Sequence, residues 1–104
     1  MVVRTQQNGY EVTGLRVGAA NVRRYFPRTV SRVRLRLGDL EIDCELSPEF
    51  WSGKPEIHDP RLCEWLQFRQ SHQRRDRKPI LLAMDQADGD SYTLRGMVQF
   101  DQRF

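Results

Sequence analysis

Residues 30–46, VSRVRLRLGDLEIDCEL, decide the fold. On both sides of Gly38-Asp39 apolar and charged residues alternate with period two, the pattern of half-buried strands, and a two-residue step with glycine first suits a tight type II′ hairpin turn. Counting outward from that turn sets Leu37 opposite Leu40, Leu35 opposite Ile42 and Val33 opposite Cys44 on one face. Arg36, Arg34 and Arg32 fall opposite Glu41, Asp43 and Glu45 on the other. One face is apolar and the other ionic. The ionic face must look outward, because six charges in a core would be prohibitively costly.

Upstream of the hairpin, Gly18 opens a short helix in which Ala19, Val22 and Phe26 share one face while Arg23 and Arg24 point away. Pro27 ends it, since the residue before a proline is disfavoured in helical geometry. Residues 10–17 read as a strand with a defect. Tyr10 and Val12 have one parity, Leu15 and Val17 the other, so an extra residue near Gly14 keeps both pairs on one face, as a β-bulge does. The first eight residues, MVVRTQQN, show no usable period. They are expected to be a flexible arm preceding a single globular domain, residues 9–104.

Downstream, Ser47-Pro48 matches a helix cap followed by proline at the first helical position, and Phe50-Trp51 forms one apolar turn closed by Gly53. The same start signal recurs at Asp59-Pro60. It opens a helix of about three turns with Leu62, Trp65 and Leu66 on one face and Cys63 and Phe68 on its flanks. From Gln70 to Lys78 the chain reads as a polar connector ending at Pro79. Residues 80–84 are an uninterrupted apolar run, expected as a strand covered on both faces. Asp88-Gly89 then marks a turn into a last strand over residues 91–98, with Gly96 a bulge or corner. The fold class that follows is α+β and strand-dominated: a curved antiparallel sheet or small, partly open β-barrel of five or more strands with two or three short helices. A flatter α+β sandwich is the alternative.

At 104 residues the chain has room for one core and not two. Two cysteines outside any CxxC, both on apolar faces, fit buried small hydrophobes in a reducing compartment. No apolar stretch approaches the roughly 20 residues of a membrane span, and the N-terminus has no apolar signal core. The expected location is therefore the cytoplasm, with no membrane partner. Net charge is only +3, yet its arrangement is uneven: residues 1–36 carry eight arginines and one acid, whereas residues 37–66 carry eight acids and two bases. Strand pairing cancels much of this within the hairpin. Arg4, Arg16, Arg23, Arg24 and Arg28 stay uncancelled, as does the stretch 69–78 with five cations and one acid.

No catalytic set is legible. Glu41, Asp43 and Glu45 lie at strand spacing, but arginines across the turn favour an ion-pair ladder over a cation site. His58-Asp59 resembles the paired ligands of metal phosphohydrolases without their further histidines and aspartates, and Asp59 already has a role as helix cap. Neither Cys44 nor Cys63 has an activating neighbour in sequence. No glycine-rich phosphate cradle or GxSxG elbow is present. An enzyme therefore ranks third among the readings, and no cofactor or metal is expected.

Two basic segments point to nucleic acid. Arg23, Arg24 and Arg28 interleave with Tyr25 and Phe26, the mixture that phosphate contact and base stacking require. Arg69, Arg74, Arg75, Arg77 and Lys78 form the denser electrostatic footprint. The first-ranked reading is a small non-catalytic module that contacts the phosphates of DNA or RNA through these segments. Second is a protein-interaction or self-association module that docks a partner or a second copy through Phe50, Trp51 and a sheet edge.

The stretch YFPRTVSRVRLRLGDLEIDCELSPEFWSGKPEIHDPRLCEWL, residues 25–66, resembles a type of short bacterial protein, and the resemblance implies no catalytic residues. A curved sheet with short helices between strand groups also resembles, at the level of fold, the B3-like pseudobarrel DNA-binding domains, including those of some restriction enzymes. That fold has seven strands where the alternation here marks five, and none of its motifs is found in the chain.

Overall fold

The structure, a computed structural model, describes residues 1–26, 29–73 and 78–96. In chain order its elements are β1 (Val2–Asn8), β2 (Glu11–Arg16), α1 (Ala19–Tyr25), β3 (Arg32–Leu37), β4 (Leu40–Glu45), α2 (Glu49–Ser52), β5 (Glu56–Ile57), α3 (Pro60–Gln73), β6 (Leu81–Asp88) and β7 (Ser91–Gly96). The strands form one sheet in the order β4-β3-β7-β6-β1-β2-β5, rolled into a nearly closed barrel with one open seam. Neighbours are antiparallel except β3 and β7, which run parallel. The strand-dominated α+β class expected from the pattern is the class observed.

The β3–β4 hairpin has the register obtained by counting, from Leu37 opposite Leu40 to Arg32 opposite Glu45. Gly38 has a φ of 66°, a left-handed value that glycine adopts without a Cβ clash. Val33, Leu35, Leu37, Ile42 and Cys44 are all buried, while Leu40, beside the turn, is 47% exposed despite its place on the apolar face. Outside, Arg34 meets Asp43 at 3.0 Å, Arg32 meets Glu45 at 3.4 Å and Arg36 meets Glu41 at 3.9 Å. Burying each large aliphatic side chain contributes about 1.5–3 kcal/mol, against about 0.2–1 kcal/mol for each exposed ion pair. The apolar face stabilises the ribbon; the ladder mainly selects its register.

Three expectations are corrected. The first concerns residues 1–8, which are not a loose arm: β1 lies inside the sheet between β6 and β2. Its period is hidden because one inward position is polar. Thr5 is 1% exposed, and its Oγ1 donates to Gln70 Oε1 at 2.9 Å while accepting the Ile80 N–H at 3.1 Å. The bulge expected near Gly14 is present, with the register stepping from Gln6 opposite Gly14 to Gln7 opposite Val12, so that Thr13 is the extra residue. Tyr10 is not in that strand; it sits in the Gly9-Tyr10 turn and is 67% exposed.

The second correction concerns residues 80–84, which alternate rather than being covered twice. Ile80, Leu82 and Met84 are buried but Leu81 is 44% exposed. The third concerns the helix after Asp59, which continues through Gln73, so the connector's first residues are helical and Gln70 is buried. With β1 and the two-residue β5 added, the described residues hold seven strands rather than five. Val22 in α1 and Phe26 just past its end are buried as expected, whereas Ala19 is exposed.

Helix α3 lies across the open seam. Arg61 Nη2 donates to the Asp43 carbonyl of β4 at 3.0 Å, and Gln67 bonds the edge of the β1–β2 hairpin, accepting the Val12 N–H at 2.8 Å and donating to the Tyr10 carbonyl at 3.3 Å. An amide side chain stands where a neighbouring strand's peptide group would. Its partners are the donor and acceptor that an edge strand otherwise offers to another molecule.

Candidate nucleic-acid interface

The expected basic residues divide between two elements. Arg23 and Arg24 project from the exposed side of α1, with the Arg24 guanidinium 5.9 Å from the Tyr25 ring centroid. Helix α1 is tied to the start of β1 and the end of β2 by Asn21, whose Nδ2 donates to the carbonyls of Val2 and Val17 at 2.8 Å each. Arg69 belongs to α3, which is anchored at the other end of β1 through Gln70 on Thr5 and Gln67 on Tyr10. The two sets therefore flank β1 from opposite ends and are not brought together. Lys78 is exposed; Arg28, Arg74, Arg75 and Arg77 lie outside the described residues.

Helix α3 adds a feature that the charge pattern does not contain. Trp65, Phe68, Arg69 and His72 stand at i, i+3, i+4 and i+7, one stripe along its surface. Leu62, Leu66 and Gln70 occupy the buried side, and the half-buried Trp65 also packs against the core, as expected from its spacing. Phe68 is 64% exposed and stacks on the His72 imidazole with ring centroids 4.1 Å apart and planes inclined by 29°. His72 Nδ1 donates to the Phe68 carbonyl at 2.8 Å, which fixes the ring against its neighbour. Arg69 lies over Trp65, with its guanidinium carbon 4.6 Å from the indole centroid, a cation–π distance. Two ring contacts, Phe68 with His72 and Trp65 with Arg69, thus interleave along the stripe.

The helix is held in place at its start by Asp59. The Asp59 carboxylate accepts the Arg61 N–H at 2.8 Å and pairs with the Arg61 guanidinium at 3.0 Å. These Arg61 bonds hold the carboxyl below its ordinary range against an opposing desolvation effect. Cys63 and Cys44 are free thiols. Burial, reinforced by the Asp59 carboxylate, pushes the Cys44 thiol up to about 12, the opposite of what a nucleophile needs.

Phe50 and Trp51 have a different placement from the one a docking surface requires. Phe50 is 1% exposed, with its ring centroid 5.4 Å from Phe26 and 4.9 Å from Trp51. Trp51 is half-buried, and its indole N–H donates to the Val30 carbonyl at 3.2 Å. Phe26 in turn stacks on Tyr92 at 4.7 Å, and the Tyr92 hydroxyl donates to the Tyr25 carbonyl at 3.1 Å. These rings form an aromatic layer joining α1 and α2 to the sheet.

A further pair is marked by the sequence pattern only as two uncancelled charges, because their adjacency depends on β1. Arg4 and Arg16 are direct register partners in the β1–β2 ladder, both exposed. The Gly9-Tyr10 turn is the signal that could have found them: Gly9 has a φ of 64°, and counting outward from Asn8 opposite Glu11 past the bulge at Thr13 reaches this pair.

Among the described residues no helix is long and apolar enough to cross a membrane, and no three His, Cys, Asp or Glu side chains gather as metal ligands would. Compared with known proteins, the chain matches no family model, no curated protein and no solved structure.

Proposed function

We propose that this protein is a small, non-catalytic nucleic-acid-binding module whose contact surface is the outer face of α3 and the cationic segment that follows it. The observation that carries the reading is the stripe Trp65, Phe68, Arg69 and His72, in which the exposed Phe68 ring beside His72 and the half-buried Trp65 ring under Arg69 alternate with basic groups, followed in sequence by Arg74, Arg75, Arg77 and Lys78. Unpaired bases stack on such planes without regard to sequence, each stack contributing about 1–3 kcal/mol, while arginines neutralise the phosphates between them. Single strands are favoured over duplex, whose bases cannot reach a flat exposed ring. Arg23 and Arg24 on α1 provide a second phosphate contact.

The alternative, docking of a protein through Phe50 and Trp51, has less support. Phe50 is buried, Trp51 already uses its donor, and α3 occupies both sides of the seam.

Fluorescence anisotropy with labelled single-stranded and duplex oligonucleotides, titrated between about 50 mM and about 200 mM salt, tests the reading. Binding is expected to weaken linearly in log–log form with rising salt. Phe68→Ala is expected to lower single-strand affinity about tenfold at unchanged salt slope, and Arg74→Gln with Arg75→Gln to reduce the slope by about 0.7 for each phosphate left without its arginine. No binding at the lowest salt, or binding indifferent to all three substitutions, overturns it.

A further inference from the structure

Among the described residues, the arginines on the barrel strands follow a rule with one exception. Arg32, Arg34 and Arg36 each face an acid on β4, and Arg95 on β7 meets Asp85 on β6 at 3.0 Å. Arg4 on β1 and Arg16 on β2 face each other instead. Side chains in such register have Cβ atoms about 5 Å apart, and like charges there repel. Among the described residues neither arginine has an ion-pair partner.

The nearest acid in the ladder is engaged elsewhere. Glu56 on β5 is the register partner of Arg16, yet its Oε1 lies 3.1 Å from His58 Nε2 and its side chain is only 11% exposed. His58 Nδ1 is in turn fixed at 2.8 Å from the Thr13 carbonyl, at the bulge. The carboxylate that could have quenched Arg16 is thus turned toward His58, and Arg4 and Arg16 both line a shared depression of about 190 Å³. Val2, Val3, Val17, Gly18 and Leu81 complete its wall, Val2 and Leu81 being 50% and 44% exposed.

We propose that Arg4 and Arg16 form a phosphoryl-binding site on the outer face of the β1–β2 ladder. Two adjacent guanidinium forks present paired N–H donors that match the oxygens of a phosphate, and a phosphoryl anion between them converts their repulsion into two charge-assisted contacts. The ligand is a phosphate group, carried either by a small molecule or by a nucleic-acid backbone. The site does not rest on the α3 surface and can be tested without it.

Thermal unfolding is followed in inorganic phosphate, pyrophosphate and chloride at matched ionic strength, and anisotropy with a single-stranded oligonucleotide is measured in parallel. The wild type is expected to show saturable stabilisation by phosphate or pyrophosphate beyond that by chloride, weakened about tenfold in half-saturation by Arg4→Gln and by Arg16→Gln. In phosphate-free, low-salt buffer each of these variants is expected to be at least as stable as the wild type, because the repulsion is gone; Arg95→Gln keeps the full response. A small-molecule phosphate changes only the thermal readout in the variants, whereas a backbone phosphate also lowers oligonucleotide affinity, and either loss supports the site. A wild type with neither response, or responses that persist undiminished in Arg4→Gln and Arg16→Gln, overturns it.

Discussion

Gly14 shows how one missing side chain shapes this molecule. A Cβ built there would stand 2.7 Å from His58 Nδ1 and 2.7 Å from the Ile57 carbonyl oxygen. The first neighbour could swing aside, but the second is backbone of β5 and moves only with its strand. Glycine at this position lets β5 close on the bulge in β2 and lets His58 reach the Thr13 carbonyl. Gly14→Ala is therefore expected to destabilise the fold by about 1–3 kcal/mol, the usual cost of forcing extra volume into a packed place. Chemical denaturation measures it. The same substitution is expected to loosen the grip of His58 on Glu56, and with it the reason Arg16 lacks an acid. A Gly14→Ala protein as stable as the wild type would show that β5 adjusts freely and that the bulge has no such constraint.

At the scale of elements, α3 depends on its first turn. Asp59 satisfies the Arg61 N–H and holds the Arg61 guanidinium, while that guanidinium also reaches the Asp43 carbonyl of β4. Asp59→Ala is expected to cost about 1 kcal/mol near neutral pH, within the range for a lost N-cap. Because the folded carboxyl titrates below its ordinary value of 3.8, its contribution is complete above that value and disappears as pH falls through the folded titration. The gap between wild type and Asp59→Ala in urea melts should accordingly close in acid. That start signal is legible in the sequence because cap, proline and apolar spacing agree at one place, and the β3–β4 register is legible for the same reason, a turn and a period coinciding. β1 is not, because Thr5 looks like a surface residue until Gln70 and Ile80 are brought to it. β5 is two residues long and has no period to read. The exposed charges of Arg23 and Arg24 can be read from helical spacing, whereas the Arg4–Arg16 pair requires both the hidden strand and its bulge. The α3 stripe is masked in the sequence because Trp65 shares the spacing of the packed leucines and Phe68 falls on their flank, so that only the ring geometry reveals the two ring contacts.

For the molecule as a whole, the difficulty of a nearly closed sheet is its last gap. β4 and β5 do not pair across it, so the barrel would present backbone donors and acceptors to any passing strand. Helix α3 answers this with two side chains rather than a strand, Arg61 on the β4 side and Gln67 on the β2 side. Gln67→Ala removes both bonds to the β2 side at once. With each intramolecular hydrogen bond contributing about 0.5–1.5 kcal/mol net, the loss is expected to be about 1–3 kcal/mol, and the bared Val12 N–H and Tyr10 carbonyl are expected to promote self-association. Equilibrium unfolding gives the first quantity, and light scattering as a function of protein concentration gives the second. Gln67→Glu separates the two bonds, since a carboxylate still accepts from Val12 but cannot donate to Tyr10; it should fall between wild type and alanine in stability. A Gln67→Ala protein that stays monomeric and loses no stability would mean that the seam is sealed by the packing of Leu62 and Leu66 alone, with the amide a bystander.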